Sequence, residues 1–320
     1  MHGRFKKIHM VGIAGSGMRG LAEVLLSMGY EVSGSDTGAH ADIAPLESAG
    51  AVVSREHRAQ GAAGADVVVV SSAIRDSNPE VAGARALGIA VVQRAEMLAE
   101  LMKMKLGVAV MGSHGKTTTT SMAASVLTEG GLDPTVVVGG KVIALGSGRF
   151  GGGDIMVVEA DESDGSFSRL SPAISVLTNV DREHLDYYGT VETLRDRFLD
   201  FLERTPFYGF SVLCVDCPHV REIARRVSKR FITYGENPDA DIRLGKVVTR
   251  GFETNFEVFF KGGKPGRVRL SVPGRHNAVN SLAAIAVGME MGVSFELISR
   301  GLERFGGIER RMQLRDEVRG

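Results

Sequence analysis

Twice in this chain a short apolar strand runs into a glycine-rich turn that opens directly into a helix. The apolar run at residues 8–13 meets Gly15-Ser16-Gly17-Met18-Arg19-Gly20, and the run at 107–111 meets Gly112-Ser113-His114-Gly115-Lys116-Thr117. A strand followed at once by a helix returns to a parallel neighbour through that helix, so these two starts predict an α/β fold on doubly wound parallel sheets. Glycine, 41 of 320 residues with no collagen period, is expected in such turns and at close backbone approaches.

The patterning around each turn extends the prediction. Leu21, Val24, Leu25 and Met28 recur at helical spacing, and Gly29 stops that helix. Residues 32–36, 66–71 and 89–92 read as strands, the second carrying Val67-Val68-Val69-Val70, and 96–104 reads as a helix leading out. A second unit opens near Leu106, with strands at 107–111, 154–159, 173–178 and 211–215 and helices at 116–129 and 191–203. Beyond Ile232 an antiparallel run is expected at 242–248, 252–260 and 267–272, followed by a long helix at 277–291. The expected domains are a Rossmann-like unit over 1–105 and a P-loop-type α/β unit with an added antiparallel region over 106–320.

Composition excludes several function classes. Lys+Arg and Asp+Glu are 38 each, so neither a nucleic-acid footprint nor a polybasic membrane patch is expected. No stretch is long and apolar enough to span a bilayer, and the first residues lack the apolar core of a signal peptide. Cys214 and Cys217 cannot build a disulfide framework, which points to a reducing cytoplasm; without a second C-x-x-C, their spacing reads as a turn after a strand.

Four regions carry chemistry. Gly15 to Gly20 is G-x-G-x-x-G in the strand–turn–helix setting that the motif requires, so a diphosphate is expected at the positive helix end; the motif alone does not separate a dinucleotide from a UDP-sugar. Asp36, closing the next strand, is placed to meet a ribose hydroxyl. In the second turn Val110 stands at the first glycine position of the Walker pattern, yet backbone N–H groups, Lys116 and the Thr117 hydroxyl keep the parts that hold phosphates and Mg²⁺. Glu159-Ala160-Asp161-Glu162-Ser163-Asp164 and Asp181-Arg182-Glu183-His184 end strands of the same sheet, where acids and a histidine suit metal binding. Finally, His276, Asn277 and Asn280 open the long helix; asparagine amides match adenine's edge and equally suit capping.

Together, VGIAGSGMRGLAEVLLSMGYEVSGSD, VVVSSAI, MGSHGKTTTT, VVEADESDGSF, LTNVDREHLDYYG and PGRHNAVNSLAA resemble the Mur ligase family along essentially the whole chain. The resemblance implies that Gly15, Ser16, Gly17, Met18 and Gly20 hold a UDP-sugar diphosphate, with Asp36, Ser72 and Ala73 at the uridine. It implies ATP at Gly112, Ser113, His114, Gly115, Lys116, Thr117 and Thr118, and adenine near His276, Asn277 and Asn280. Thr117, Glu159 and His184 would be the Mg²⁺ ligands, and Lys116, Glu159, His184 and Arg311 the catalytic set. The implied substrates are UDP-N-acetylmuramate, ATP and L-alanine, joined through an acyl phosphate in peptidoglycan precursor synthesis.

Two departures bear on this. Residues 185–203 contain no lysine, where several Mur ligases carry a carbamylated one; the L-alanine-adding branch resembles this chain in lacking it. The family's third, amino-acid-binding domain has no counterpart before Gly320, so the expectation is a chain that binds its nucleotides without forming the amide. Two competing readings are an NAD(P)-dependent dehydrogenase, resting on the first turn and Asp36, and an ATP-responsive binding module without catalysis.

Overall fold

The computed structural model describes residues 5–38, 43–142 and 146–308. The first sheet is wholly parallel. It holds β1 (Lys7–Val11), β2 (Glu31–Ser35), β3 (Val52–Ser54), β4 (Val67–Val70) and β5 (Ala90–Gln93), in the order β3-β2-β1-β4-β5. The four valines of β4 are all buried, as a β-branched run enclosed on both faces requires. Helices α1 (Ser16–Ser27), α2 (Ala44–Ser48), α3 (Pro79–Ala86) and α4 (Arg94–Met102) complete this unit. The first helix begins at Ser16, inside the glycine turn.

The second sheet has ten strands in the order β15-β14-β13-β12-β11-β10-β6-β9-β7-β8. They are β6 (Leu106–Met111), β7 (Thr135–Val142), β8 (Gly146–Arg149), β9 (Ile155–Glu159), β10 (Ile174–Leu177), β11 (Phe210–Cys214), β12 (Phe231–Gly235), β13 (Ile242–Arg250), β14 (Glu253–Phe260) and β15 (Gly266–Leu270). The antiparallel run continues this sheet, because β13 pairs in parallel with β12 before β14 and β15 fold back. The helices are α5 (Lys116–Glu129), α6 (Leu185–Tyr188), α7 (Val191–Glu203), α8 (Pro218–Ala224), α9 (Arg275–Glu290) and α10 (Phe295–Glu303). Among the described residues no helix is long and apolar enough to cross a membrane.

One apolar core runs through both units: Met10, Leu21 and Leu25 belong to the same cluster as Met102, Met111, Val137 and Met156. The first unit packs tightly on the second where α1 touches β8. A Cβ on Gly20 would collide with the Ser147 carbonyl, and one on Gly148 with the Gly20 carbonyl, so only glycines allow this approach. Glu23 Oε2 accepts the Gly148 N–H at 2.7 Å beside it.

On the other face of β1 a polar knot is buried. Glu80, at the start of α3, has no solvent exposure; it accepts from Ser35 Oγ, lies 3.1 Å from His57 Nδ1 and 3.5 Å from His9 Nε2. Burial alone would raise the Glu80 carboxyl, but the nearby His9 ring and hydrogen bonds from Ser35 and His57 outweigh it and hold it below its ordinary range.

Candidate functional site

The second glycine turn lies at the C-terminal end of β6, in the middle of the ten-stranded sheet. Gly112 and Gly115 have φ of +126° and +80°, and a Cβ on Gly112 would strike Thr178 Oγ1. Only glycine reconciles this backbone with its neighbours. The loop is held from β10's end: the Asn179 side chain accepts the His114 N–H at 2.8 Å and donates to the His114 carbonyl at 2.9 Å, while Thr178 Oγ1 donates to the same carbonyl at 2.7 Å. Asn179 lies inside a motif singled out in the sequence, but nothing local marked it as the loop's brace.

The loop opens into α5, whose run of Thr117, Thr118, Thr119, Thr120 and Ser121 is buried. Thr120 Oγ1 and Ser121 Oγ donate to the carbonyls four residues back, at 2.8 and 2.6 Å, which lets hydroxyls sit in a helix core. Lys116 Nζ donates to Gly112 O at 2.7 Å, Ser113 O at 3.2 Å and Glu162 Oε1 at 2.7 Å. Glu162 is fully buried; burial pushes its carboxyl up while the Lys116 ammonium pulls the other way.

Thr117 Oγ1 donates to Glu159 Oε1 at 3.1 Å, and Gly139 N donates to Glu159 Oε2 at 2.7 Å. A hydroxyl and a carboxylate so close are hard oxygen donors of the kind Mg²⁺ takes. His184 keeps different company. It is left-handed, with φ of +57°, and its Nε2 is 3.7 Å from Glu162 Oε1; Glu162, Glu183 and His184 bring ligand atoms within 4.8 Å of one another, a group that does not include Glu159. The resemblance implied one set of Thr117, Glu159 and His184; the described geometry pairs the first two by a hydrogen bond and brings the third near Glu162 and Glu183.

Around the loop lie two cavities. One of about 350 Å³ is lined by His114, Gly115, Thr118, His276, Asn277 and Asn280. It brings the long helix's asparagines to the second glycine turn, where the Asn277 side-chain amide also donates to Pro273 O at 2.7 Å. The other, about 300 Å³, has walls from both units: Gly15, Gly17, Met18, Ser71 and Ser72 on one side, Lys116, Gly139, Glu159 and Asp161 on the other, with Arg94 between. Arg94 and Gly139 are residues that sequence reasoning did not single out, while Glu162 and Asn179 lay inside quoted motifs without these partners.

Several other expected residues have contacts or positions of their own. Gly20 is taken up by the contact with β8 and does not line that cavity. Asp36 accepts the Ala14 N–H at 3.0 Å and the Gly38 N–H at 3.0 Å, bracing the turn. Ser16 starts α1, and Ala73 follows Ser72 in the turn after β4. Arg311 lies outside the described residues. Cys214 is buried and its thiol is pushed up to about 12 by burial, so Cys214 offers no ready thiolate.

The chain belongs to the Mur ligase family, whose members are ATP-dependent, amide-forming ligases: the Mur ligase middle domain matches residues 110–288, and the Mur ligase family catalytic domain matches residues 7–106. Within that family it is 52% identical to the UDP-N-acetylmuramate–L-alanine ligase of Geobacter sulfurreducens, over all of this chain and 70% of that protein. It is 51% identical to the ligase of the same name from Sorangium cellulosum, over 99% of this chain and 68% of that one. Among solved structures it superposes on the UDP-N-acetylmuramate-alanine ligase of Thermotoga maritima with a TM-score of 0.87 at 31% identity, covering 98% of this chain and 71% of that one. A murein peptide ligase from Psychrobacter arcticus gives a TM-score of 0.85 at 25% identity, over 98% of this chain and 71% of that chain.

Proposed function

We propose that this chain binds UDP-N-acetylmuramate on its first sheet and ATP on its second, and serves the ATP-dependent joining of L-alanine to the sugar's lactyl carboxylate in peptidoglycan precursor synthesis. One observation carries the reading: the glycine turn at Gly15 and Gly17 and the phosphate-loop residues Lys116 and Glu159 share the walls of one cavity. A diphosphate resting on the first turn would let the sugar's carboxylate extend to the γ-phosphate held by the second.

In that arrangement a lactyl oxygen attacks the γ-phosphorus and the bond to ADP breaks, leaving an acyl phosphate. The L-alanine amine then attacks the acyl carbon and phosphate leaves. Lys116 and the N–H groups opening α5 stabilise charge on the transferring phosphoryl group. Thr117 and Glu159 would hold Mg²⁺, which supplies charge neutralisation to the polyphosphate when bound. His184 with Glu162 and Glu183 is a second donor set at the same sheet edge. His276, Asn277, Asn280 and Thr118 border the adenine side. We read the setting as cytoplasmic, on the free thiols of Cys214 and Cys217.

Calorimetric titration tests the reading. UDP-N-acetylmuramate and ATP with Mg²⁺ should each bind saturably, and NAD(P) should not. NAD(P) binding with no response to the UDP-sugar would hand the first turn to a dehydrogenase, and ATP binding alone would favour a nucleotide-responsive module.

A further inference from the structure

Backbone at a helix start serves an anion only where its N–H ends face the anion and its carbonyls do not. In the second glycine turn one side chain sets that direction for two successive peptide units. Asn179 Oδ1 accepts the His114 N–H at 2.8 Å, which fixes the 113–114 unit, and Asn179 Nδ2 donates to the His114 carbonyl at 2.9 Å, which fixes the 114–115 unit. Thr178 Oγ1 is a second donor to that carbonyl, at 2.7 Å. In a trans peptide the carbonyl and the N–H point in opposite directions. The Ser113 carbonyl is therefore turned away from Asn179, where it accepts from Lys116 Nζ at 3.2 Å. The Gly115 N–H is turned away from Asn179 in the same manner, and it has no acceptor among the described residues.

Sterics alone do not impose this orientation. Gly115 has a φ of +80° and no Cβ, so the 114–115 unit can turn over at little steric cost. Turned over, it would set the His114 carbonyl oxygen at the start of α5, where a partial negative charge repels phosphate, and would withdraw the Gly115 N–H. We propose that Asn179 is a positioning residue for ATP: by clamping both peptide units it keeps the Gly115 N–H among the donors that open α5 and holds the His114 carbonyl away from the phosphates. The amide's oxygen and nitrogen are both engaged by His114, so Asn179 acts through the loop rather than on the nucleotide. Thr178 shares only the second of these contacts. Asn179 stands 65 residues beyond His114 and reaches it only because β10 pairs with β6.

This inference rests on the proposed ATP reading, and the experiment separates the two. ATP with Mg²⁺ is titrated calorimetrically into the parent chain, Asn179→Ala and Asn179→Asp, and the Gly115 amide is followed by NMR in isotope-labelled samples of each. In the parent the Gly115 amide proton should move downfield as ATP binds. In Asn179→Ala the affinity should fall by at least about tenfold, the scale of a lost hydrogen bond to a charged group, and the Gly115 shift should vanish. Asn179→Asp keeps the shape and the acceptor for the His114 N–H but sets an oxygen against the His114 carbonyl. It should therefore restore neither readout, and it carries the test if Asn179→Ala does not fold. Parental ATP affinity in either variant overturns the inference while leaving the ATP reading standing. A loss of affinity with Gly115 still shifting as in the parent also overturns it, by reducing Asn179 to packing. So does a Gly115 amide that ATP leaves unmoved in the parent. No ATP binding by the parent brings down the underlying reading itself.

Discussion

Lys116 Nζ lies 2.7 Å from Glu162 Oε1, and that carboxylate is completely withdrawn from solvent. Removing one partner of a buried pair strands the other charge, whereas removing both does not. Lys116→Met should therefore lower the melting temperature, and Lys116→Met combined with Glu162→Gln should restore much of it. A double-mutant cycle by thermal or urea unfolding should give a coupling of about 1–3 kcal/mol. Additive effects would show the pair to be energetically idle.

The same lysine carries a functional expectation. Lys116→Ala should lower the rate of phosphoryl transfer from ATP by roughly 10²–10³-fold, the usual loss on deleting a donor aimed at developing charge. UDP-N-acetylmuramate binding should survive, because the Gly15–Gly17 turn belongs to the other sheet. Phosphate release, with parallel calorimetry for the UDP-sugar, checks both halves.

Gly17→Val should weaken the UDP-sugar by about tenfold or more while ATP binding persists. The added side chain would occupy the backbone's approach to a diphosphate and press on the Arg94 guanidinium 3.0 Å away. Unaltered UDP affinity would remove the turn from the binding site.

Gly20→Ala tests the seam between the units. The new methyl would collide with the Ser147 carbonyl, which cannot give way as a flexible side chain would. A loss of about 1–3 kcal/mol is expected from overpacking, read as a lower melting temperature. An unchanged transition would mean that the seam opens without cost.

Glu80 predicts a pH dependence. Its carboxyl is held below the ordinary range, since the nearby His9 ring and hydrogen bonds from Ser35 and His57 outweigh burial. A folded-state value below the unfolded one contributes stability that is complete above the unfolded value, about 4.3, and lost as pH falls through the lower folded value. Melting temperature should therefore drop on acidification below about pH 4, and Glu80→Gln should flatten that limb while lowering stability at neutral pH. A Glu80→Gln acid limb as steep as the parent's would locate the sensitivity elsewhere.

Much of this was written into local sequence. A strand ending in glycines before a helix imposes its own conformation, because Gly112 and Gly115 adopt positive φ and leave no room for a Cβ. The valine run of β4 and the spaced apolar residues of α1 announce their buried faces in the same way. Lys116 and Thr117, adjacent where the loop opens α5, were readable as candidate phosphate and metal groups for that reason. By contrast, β7 and β8 carry glycines where strands are usually apolar, and they become strands through pairing with β9 and with each other.

What only the tertiary structure decided is which distant groups meet. Arg94 comes against Gly17, Glu162 against Lys116, Asn179 against His114, and Gly20 is spent on β8. His184 falls in with Glu162 and Glu183, where the resemblance implied Glu159 beside it. Periodicity and turn chemistry act over a few residues, so they specify elements. The distances between side chains tens of residues apart are set by sheet order and by how closely two backbones can pack, and those are properties of the assembled core.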